Sequence, residues 1–192
     1  MEALFVSTGV VALAEIGDKT QLLAFILAAR FKKPVPIIAG ILCATIINHG
    51  LAGALGAWIT SMVSPEIMRW VLGTSFIGMA IWTMIPDKIE DEETQIANRL
   101  GVFGATFITF FLAEMGDKTQ IATVALAAHY TSPLLVVVGT TLGMLLADVP
   151  AVFAGDKLAS KIPMKLVHSM AAGIFALMGI ATLLGAGSKL GF

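Results

Sequence analysis

A chain of 192 residues that is 57% hydrophobic, with a mean hydropathy of +0.90 and only 13% charged residues, falls well short of the roughly 25% charge of a soluble domain and reads as an integral membrane protein. Its net charge of −1 says nothing about partners, but there is no basic patch, so nucleic acid is not expected as one. A single cysteine, Cys43, excludes an internal disulfide framework and a cysteine metal cluster.

The N-terminal stretch MEALFVSTGVVALAEIGDK has Glu2 as its first charge and lacks the basic region of a signal peptide, so it is expected to remain as a first span. Six apolar segments follow one another: Leu4–Ala29, Val35–Thr60, Ile67–Ile85, Gly101–Ala128, Leu134–Ala154 and Met164–Ala186. Each is near or above the ~20 residues that cross a bilayer as a helix. Lipid leaves backbone polar groups no outside partner, and the alternation of a β-barrel is absent, so helices are predicted throughout. Charges and prolines mark the ends: RFKKPVP after the first span, SPE before the third, HYTSP after the fourth and KIP before the sixth. The longest polar stretch, Pro86–Arg99, divides the chain. Residues 1–86 form a first unit of three spans, 87–99 an acidic linker, and 100–192 a second unit of three.

The two units are repeats. At an offset of 99, Leu13–Ala29 matches Leu112–Ala128 at 11 of 17 positions, and Pro34, Gly40 and Gly56 fall on Pro133, Gly139 and Gly155. Three spans is an odd number, so the second unit enters the membrane from the opposite side. The expected fold is therefore an all-α membrane protein of six transmembrane helices, built as two inverted three-helix repeats. Orientation follows from Lys and Arg. Arg30, Lys32, Lys33, Lys88, Arg99, Lys157, Lys161 and Lys165 gather on one side, and Arg69 and Lys189 on the other. The first side is assigned to the cytosol, with both termini and the opposite loops outside the cell or in the periplasm. Gly40-x-x-x-Ala44 and Gly139-x-x-x-Gly143 are equivalent small-residue patterns that suit close helix packing.

The polar exceptions occur in the first span of each repeat. Glu15, Gly17, Asp18, Lys19, Thr20 and Gln21 recur as Glu114, Gly116, Asp117, Lys118, Thr119 and Gln120. Ten or more apolar or small residues precede each copy, which places it near mid-membrane, where a charge costs about 2.5–3.5 kcal/mol on insertion scales. On a continuous helix Glu15 and Lys19 share a face, as do Glu114 and Lys118, so the lysines are expected to be charge partners of the glutamates. Four acids against two lysines leave two negative charges, which a divalent cation cancels. Carboxylates, carboxamides and hydroxyls suit hard cations such as Mn²⁺, Ca²⁺ or Mg²⁺. The expected metal ligands are Glu15, Asp18, Glu114 and Asp117. Gln21, Gln120, Thr20 and Thr119 are further ligands or groups that orient them. Gly17 and Gly116 either let the helix unwind or let helices pack closely. In spans two and five, Asn48-His49 aligns with Ala147-Asp148. Asn48 and Asp148 read as ligands or orienting partners, and His49 as an interhelical hydrogen-bond partner or a proton relay.

The paired E-x-G-D-K-T motifs resemble those of the calcium/manganese cation antiporter family that includes the Golgi manganese and calcium transporters, and most closely its small bacterial manganese exporters. The resemblance covers essentially the whole chain. It implies a metal site built from both motifs and efflux of Mn²⁺ from the cytosol across the inner membrane, in exchange for protons or another cation. Ca²⁺ is the alternative cargo, and no prosthetic group or enzymatic reaction is implied. A proton-coupled exporter of organic solutes needs a group for the organic part of its cargo, whereas near-identical repeats suit a small symmetric ligand. A membrane aspartyl protease also uses two aspartates, but each aspartate here is followed by lysine, and no G-x-G-D occurs.

Overall fold

The computed structural model describes residues 1–85, 100–154 and 164–185. The acidic linker 87–99, and with it Lys88 and Arg99, lies outside the described residues, as do Lys157, Lys161, Lys189 and Gly155.

The described residues form eight helices and no strand. The predicted first span is two helices, α1 (Glu2–Glu15) and α2 (Lys19–Phe31), followed by α3 (Pro34–Met62) and α4 (Pro65–Thr83). The fourth span is likewise split into α5 (Gly101–Glu114) and α6 (Lys118–His129), followed by α7 (Pro133–Ala154) and α8 (Met164–Leu183). Proline opens α3, α4 and α7, where its fixed φ fits the first turn and its missing N–H removes nothing. Lys32, at φ 52°, turns left-handed to close α2 and donates its N–H to Ala28 O. Two helices, Pro34–Met62 and Pro133–Phe153, are long and apolar enough to cross a membrane, and Gly101–Glu114 and Ser169–Leu183 are shorter apolar helices. Large apolar side chains face outward along them, among them Leu51, Trp58, Leu134, Leu146, Phe153 and Leu177. Water penalises an apolar surface of that extent and lipid does not.

Of the two roles expected for Gly17 and Gly116, unwinding is the one the structure shows: the predicted first and fourth spans are each split there, and the cause is local. Gly17 and Gly116 have φ of 86° and 75°, a left-handed backbone that a right-handed helix cannot pass through. The residues before them, Ile16 and Met115, share φ near −62° and ψ of 115°. After each glycine an aspartate restarts the helix as its N-cap. Asp18 accepts from Lys19 N at 3.0 Å, and Asp117 from Gln120 N at 2.9 Å. The glutamine closes the joint from the far side: Gly17 N donates to Gln21 Oε1 at 2.9 Å, and Gly116 N to Gln120 Oε1 at 2.7 Å. Both copies of the motif therefore encode one helix–break–helix unit.

Packing divides into two apolar clusters. One joins α1, α4, α6 and α8 around Val10, Phe76, Leu126 and Phe175. The other joins α2, α3, α5 and α7 around Leu23, Ile41, Phe110 and Met144. The two breaks are the joints where the chain passes from one cluster to the other. Equivalent helices pack equivalently near the centre: α1 on α7 and its counterpart α5 on α3, α2 on α7 and its counterpart α6 on α3. The small-residue patterns act as expected. A Cβ on Gly139 would lie 2.6 Å from Leu4 O and one on Gly143 2.7 Å from Thr8 O, so α7 meets the backbone of α1. A Cβ on Gly40 would lie 2.8 Å from Thr106 Cβ, where α3 meets α5.

Candidate metal centre

The two breaks bring the acidic residues together. Glu15 is the last residue of α1 and Glu114 the last of α5. Both are fully buried, and a carboxylate oxygen from each lies within 4.8 Å of the other and of one from Asp117. Three carboxylates from two separate segments converge on one point. Each glutamate is held across its own break by the motif threonine: Thr20 donates to Glu15 Oε1, and Thr119 to Glu114 Oε2 at 3.0 Å. Thr119 also lies 3.0 Å from Asp117 Oδ1. The threonines thus position the acids, and the remaining oxygens, Glu15 Oε2 and Glu114 Oε1, are buried without a hydrogen bond among the described residues. A buried carboxylate left in that state is costly unless a cation or a proton meets it.

Asp18 is placed differently from the other three acids. It stands outside the three-carboxylate group, and its Oδ1 lies 3.8 Å from Lys118 Nζ. Lys118 is itself buried and donates to Ile85 O, two residues past the end of α4, at 2.8 Å. The expected Glu15–Lys19 and Glu114–Lys118 relations required a continuous helix, and the breaks remove it. Lys118 instead reaches an aspartate of the other repeat, and Lys19 is half-buried, with no ion pair among the described residues.

The residues predicted in spans two and five surround this layer. His49 Nε2 is 3.9 Å from Glu114 Oε2, beyond hydrogen-bond length. Asn48 Nδ2 donates to Phe111 O at 3.1 Å and ties α3 to α5. Gln21 Nε2 donates to Ala147 O at 3.0 Å and ties α2 to α7, so this glutamine spends both ends of its amide on structure. Asp148 is fully buried, and neither of its carboxyl oxygens has a hydrogen-bond partner among the described residues. Gln120 closes its own break and is half-buried. Three convergent carboxylates and an aspartate–lysine contact between the two motifs thus make up the centre. A cavity of about 520 Å³ lies elsewhere, lined by Thr60, Glu66, Arg69, His129 and Thr182 among others, and no predicted site residue borders it.

A helical protein with lipid-compatible faces and convergent carboxylates at two broken helices is built as a membrane transporter for a hard cation, not as an enzyme. The comparisons agree. The family model described as "Divalent cation/proton antiporter GDT1" matches residues 3–91 and 102–189, and the chain belongs to that family. It is 55% identical over 183 residues, 95% of this chain and 90% of the relative, to a Vibrio cholerae protein called "Putative manganese exporter". It is 30% identical over 200 residues to GDT1-like protein 3 of Oryza sativa subsp. indica, covering 91% of this chain and 71% of the relative. It is also 30% identical over 209 residues to GDT1-like protein 5 of Arabidopsis thaliana, covering 90% and 91%. No solved structure matches.

Proposed function

We propose that the protein exports Mn²⁺ from the cytosol across the inner membrane by alternating access, in exchange for protons. The observation that carries this reading is the meeting of Glu15, Glu114 and Asp117 oxygens within 4.8 Å, in a layer sealed from solvent. Three oxygens at that spacing leave a central point no more than about 2.8 Å from each, close to the oxygen distances of a hard cation, which a small closing movement would reach. Asp18 and Asp148 add charge nearby. Water, Thr20, Thr119 and Asn48 Oδ1 are the neutral oxygens that complete a shell.

In this reading the chain crosses the membrane six times as two inverted three-helix repeats, with spans one and four broken at mid-depth, the termini outside and the acidic linker in the cytosol. Broken helices that line a buried site are a recurrent transporter device, because the break frees side chains and backbone for an ion without exposing polar groups to lipid. Carboxyl groups this close titrate as a set, so binding of the metal releases protons and protonation releases the metal. Protons therefore keep the layer close to neutral on the return step. The manganese assignment is carried by the Vibrio cholerae relative at 55% identity. Ca²⁺ is the second cargo that this donor set accepts.

The test is flux in proteoliposomes. Mn²⁺ uptake is expected to drive protons the opposite way and to accelerate when a pH gradient is imposed, with Ca²⁺ competing more weakly. Uptake that neither moves protons nor responds to the gradient removes the exchange, and Ca²⁺ competing at equal or lower concentration removes the manganese assignment.

A further inference from the structure

Equivalent residues of the two motifs occupy unlike positions. Lys118 is buried, its Nζ 3.8 Å from Asp18 Oδ1 and 2.8 Å from Ile85 O, two groups of the first repeat. Its counterpart Lys19 is half-buried and makes no ion pair among the described residues. The aspartates differ in step with the lysines: Asp117 joins Glu15 and Glu114, while Asp18 faces the lysine. The helices repeat the inequality. α8 packs on α1 and α4 on α6, while the counterpart pairs, α4 with α5 and α8 with α2, have no comparable packing.

Two repeats that carry the same motif in unequal conformations have a second arrangement available, in which each motif adopts the conformation of the other. We propose that Lys118 and Lys19 are alternating tethers that decide which aspartate serves the metal. In the arrangement seen here Lys118 holds Asp18, and Asp117 completes the group with the two glutamates. In the exchanged arrangement Lys19 holds Asp117 and donates to Leu184 O, the counterpart of Ile85 O, while Asp18 joins Glu15 and Glu114. At the same time α4 moves onto α5 and α8 onto α2. The glutamates stay with the ion throughout, and the third carboxylate is handed from one repeat to the other.

The physical reason is the cost of a bare charge in hydrocarbon. An aspartate withdrawn from the ion needs another cation, and a lysine on the opposite repeat supplies it only in the arrangement where that aspartate is withdrawn. Each lysine thereby stabilises one arrangement and not the other, which is what a population bias requires. The inference rests on the transporter reading for its purpose, but its test needs neither metal nor flux.

Hydrogen–deuterium exchange of the purified protein reads the balance directly. Lys118→Gln removes the tether of the observed arrangement, so exchange is expected to rise in α1 and α6 and to fall in α2 and α5. Lys19→Gln is expected to shift the same four helices in the opposite sense. The double variant should return towards the wild-type pattern, and each Lys→Arg variant should stay near it. Shifts of the same sign in both single variants, as two merely structural lysines would give, overturn the proposal. Should the glutamine variants fail to fold, the wild-type protein is treated with a membrane-permeant carbodiimide, which joins lysine to a touching carboxylate, and digested. The expected products are Lys118–Asp18 and Lys19–Asp117; recovery of the first without the second overturns the proposal. Loss of Mn²⁺ flux in the wild type would sink the transport reading and leave both of these results interpretable.

Discussion

Substitution of Gly116 by alanine separates a broken helix from a continuous one by the sign of its effect. In a continuous helix alanine is favoured over glycine by roughly 1 kcal/mol. At φ 75° the preference reverses, because a left-handed backbone costs a residue with a Cβ roughly 1–2 kcal/mol. Crowding does not confuse the result, since a Cβ at Gly116 meets nothing within 4 Å. Part of the cost is offset by the smaller entropy of the unfolded chain, about 0.4–1 kcal/mol. Gly116→Ala is therefore expected to destabilise by about 1 kcal/mol. Gly50, inside α3 and equally open, is the control, and Gly50→Ala is expected to stabilise by up to about 1 kcal/mol. For a chain of this size 1 kcal/mol moves the melting midpoint by roughly 2–4 °C. The two variants should therefore separate by several degrees in opposite directions when melted in the same detergent. A Gly116→Ala protein as stable as Gly50→Ala would mean that span four runs through unbroken, and the convergence of Glu114 and Asp117 on Glu15 would lose its basis.

Further expectations follow from the same geometry. Asp117→Asn keeps a good N-cap for α6 but removes a charge from the metal group, so the melting midpoint should hold while Mn²⁺ affinity falls. A unit charge about 4 Å away is worth about 4 kcal/mol at an effective dielectric near 20, and losing even half of that weakens binding more than tenfold, readable by titration calorimetry. Unchanged affinity would remove Asp117 from the site. Thr119→Val takes the hydroxyl from Glu114 Oε2 and should cost about 1–3 kcal/mol, while Thr119→Ser should restore most of the stability. Gly139→Ala places a Cβ against Leu4 O, an atom that cannot step aside, and should cost about 1–3 kcal/mol; a neutral result would show that α1 and α7 are farther apart than described.

The sequence made the helical class and the family legible, because both rest on patterns that survive without coordinates. Apolar runs set the helices, the offset of 99 aligned the motifs, and buried carboxylates in lipid have few uses other than ion handling. The path of the backbone through the motif was the weak point. Reading E-x-G-D-K-T-Q as helix assigned Lys19 to Glu15 by the four-residue rule, although glycine followed by aspartate is also the local signature of a helix that stops and starts again. The break changes the role of nearly every residue in the motif. Glutamate becomes a terminal residue aimed into the gap, aspartate a cap, threonine the strut across the joint, and glutamine the group that closes the glycine N–H. The inequality of the two lysines was not legible at all. Two copies of one motif carry the same local information, and only the packing of α4 and α8 around them makes one copy differ from the other. A sequence of this kind specifies its site twice and its conformation once, through contacts far from the motif. Changes on the α4–α8 seam, such as a Cβ added at Gly179, 3.0 Å from Gly73 O, should therefore alter the balance between arrangements without touching a carboxylate.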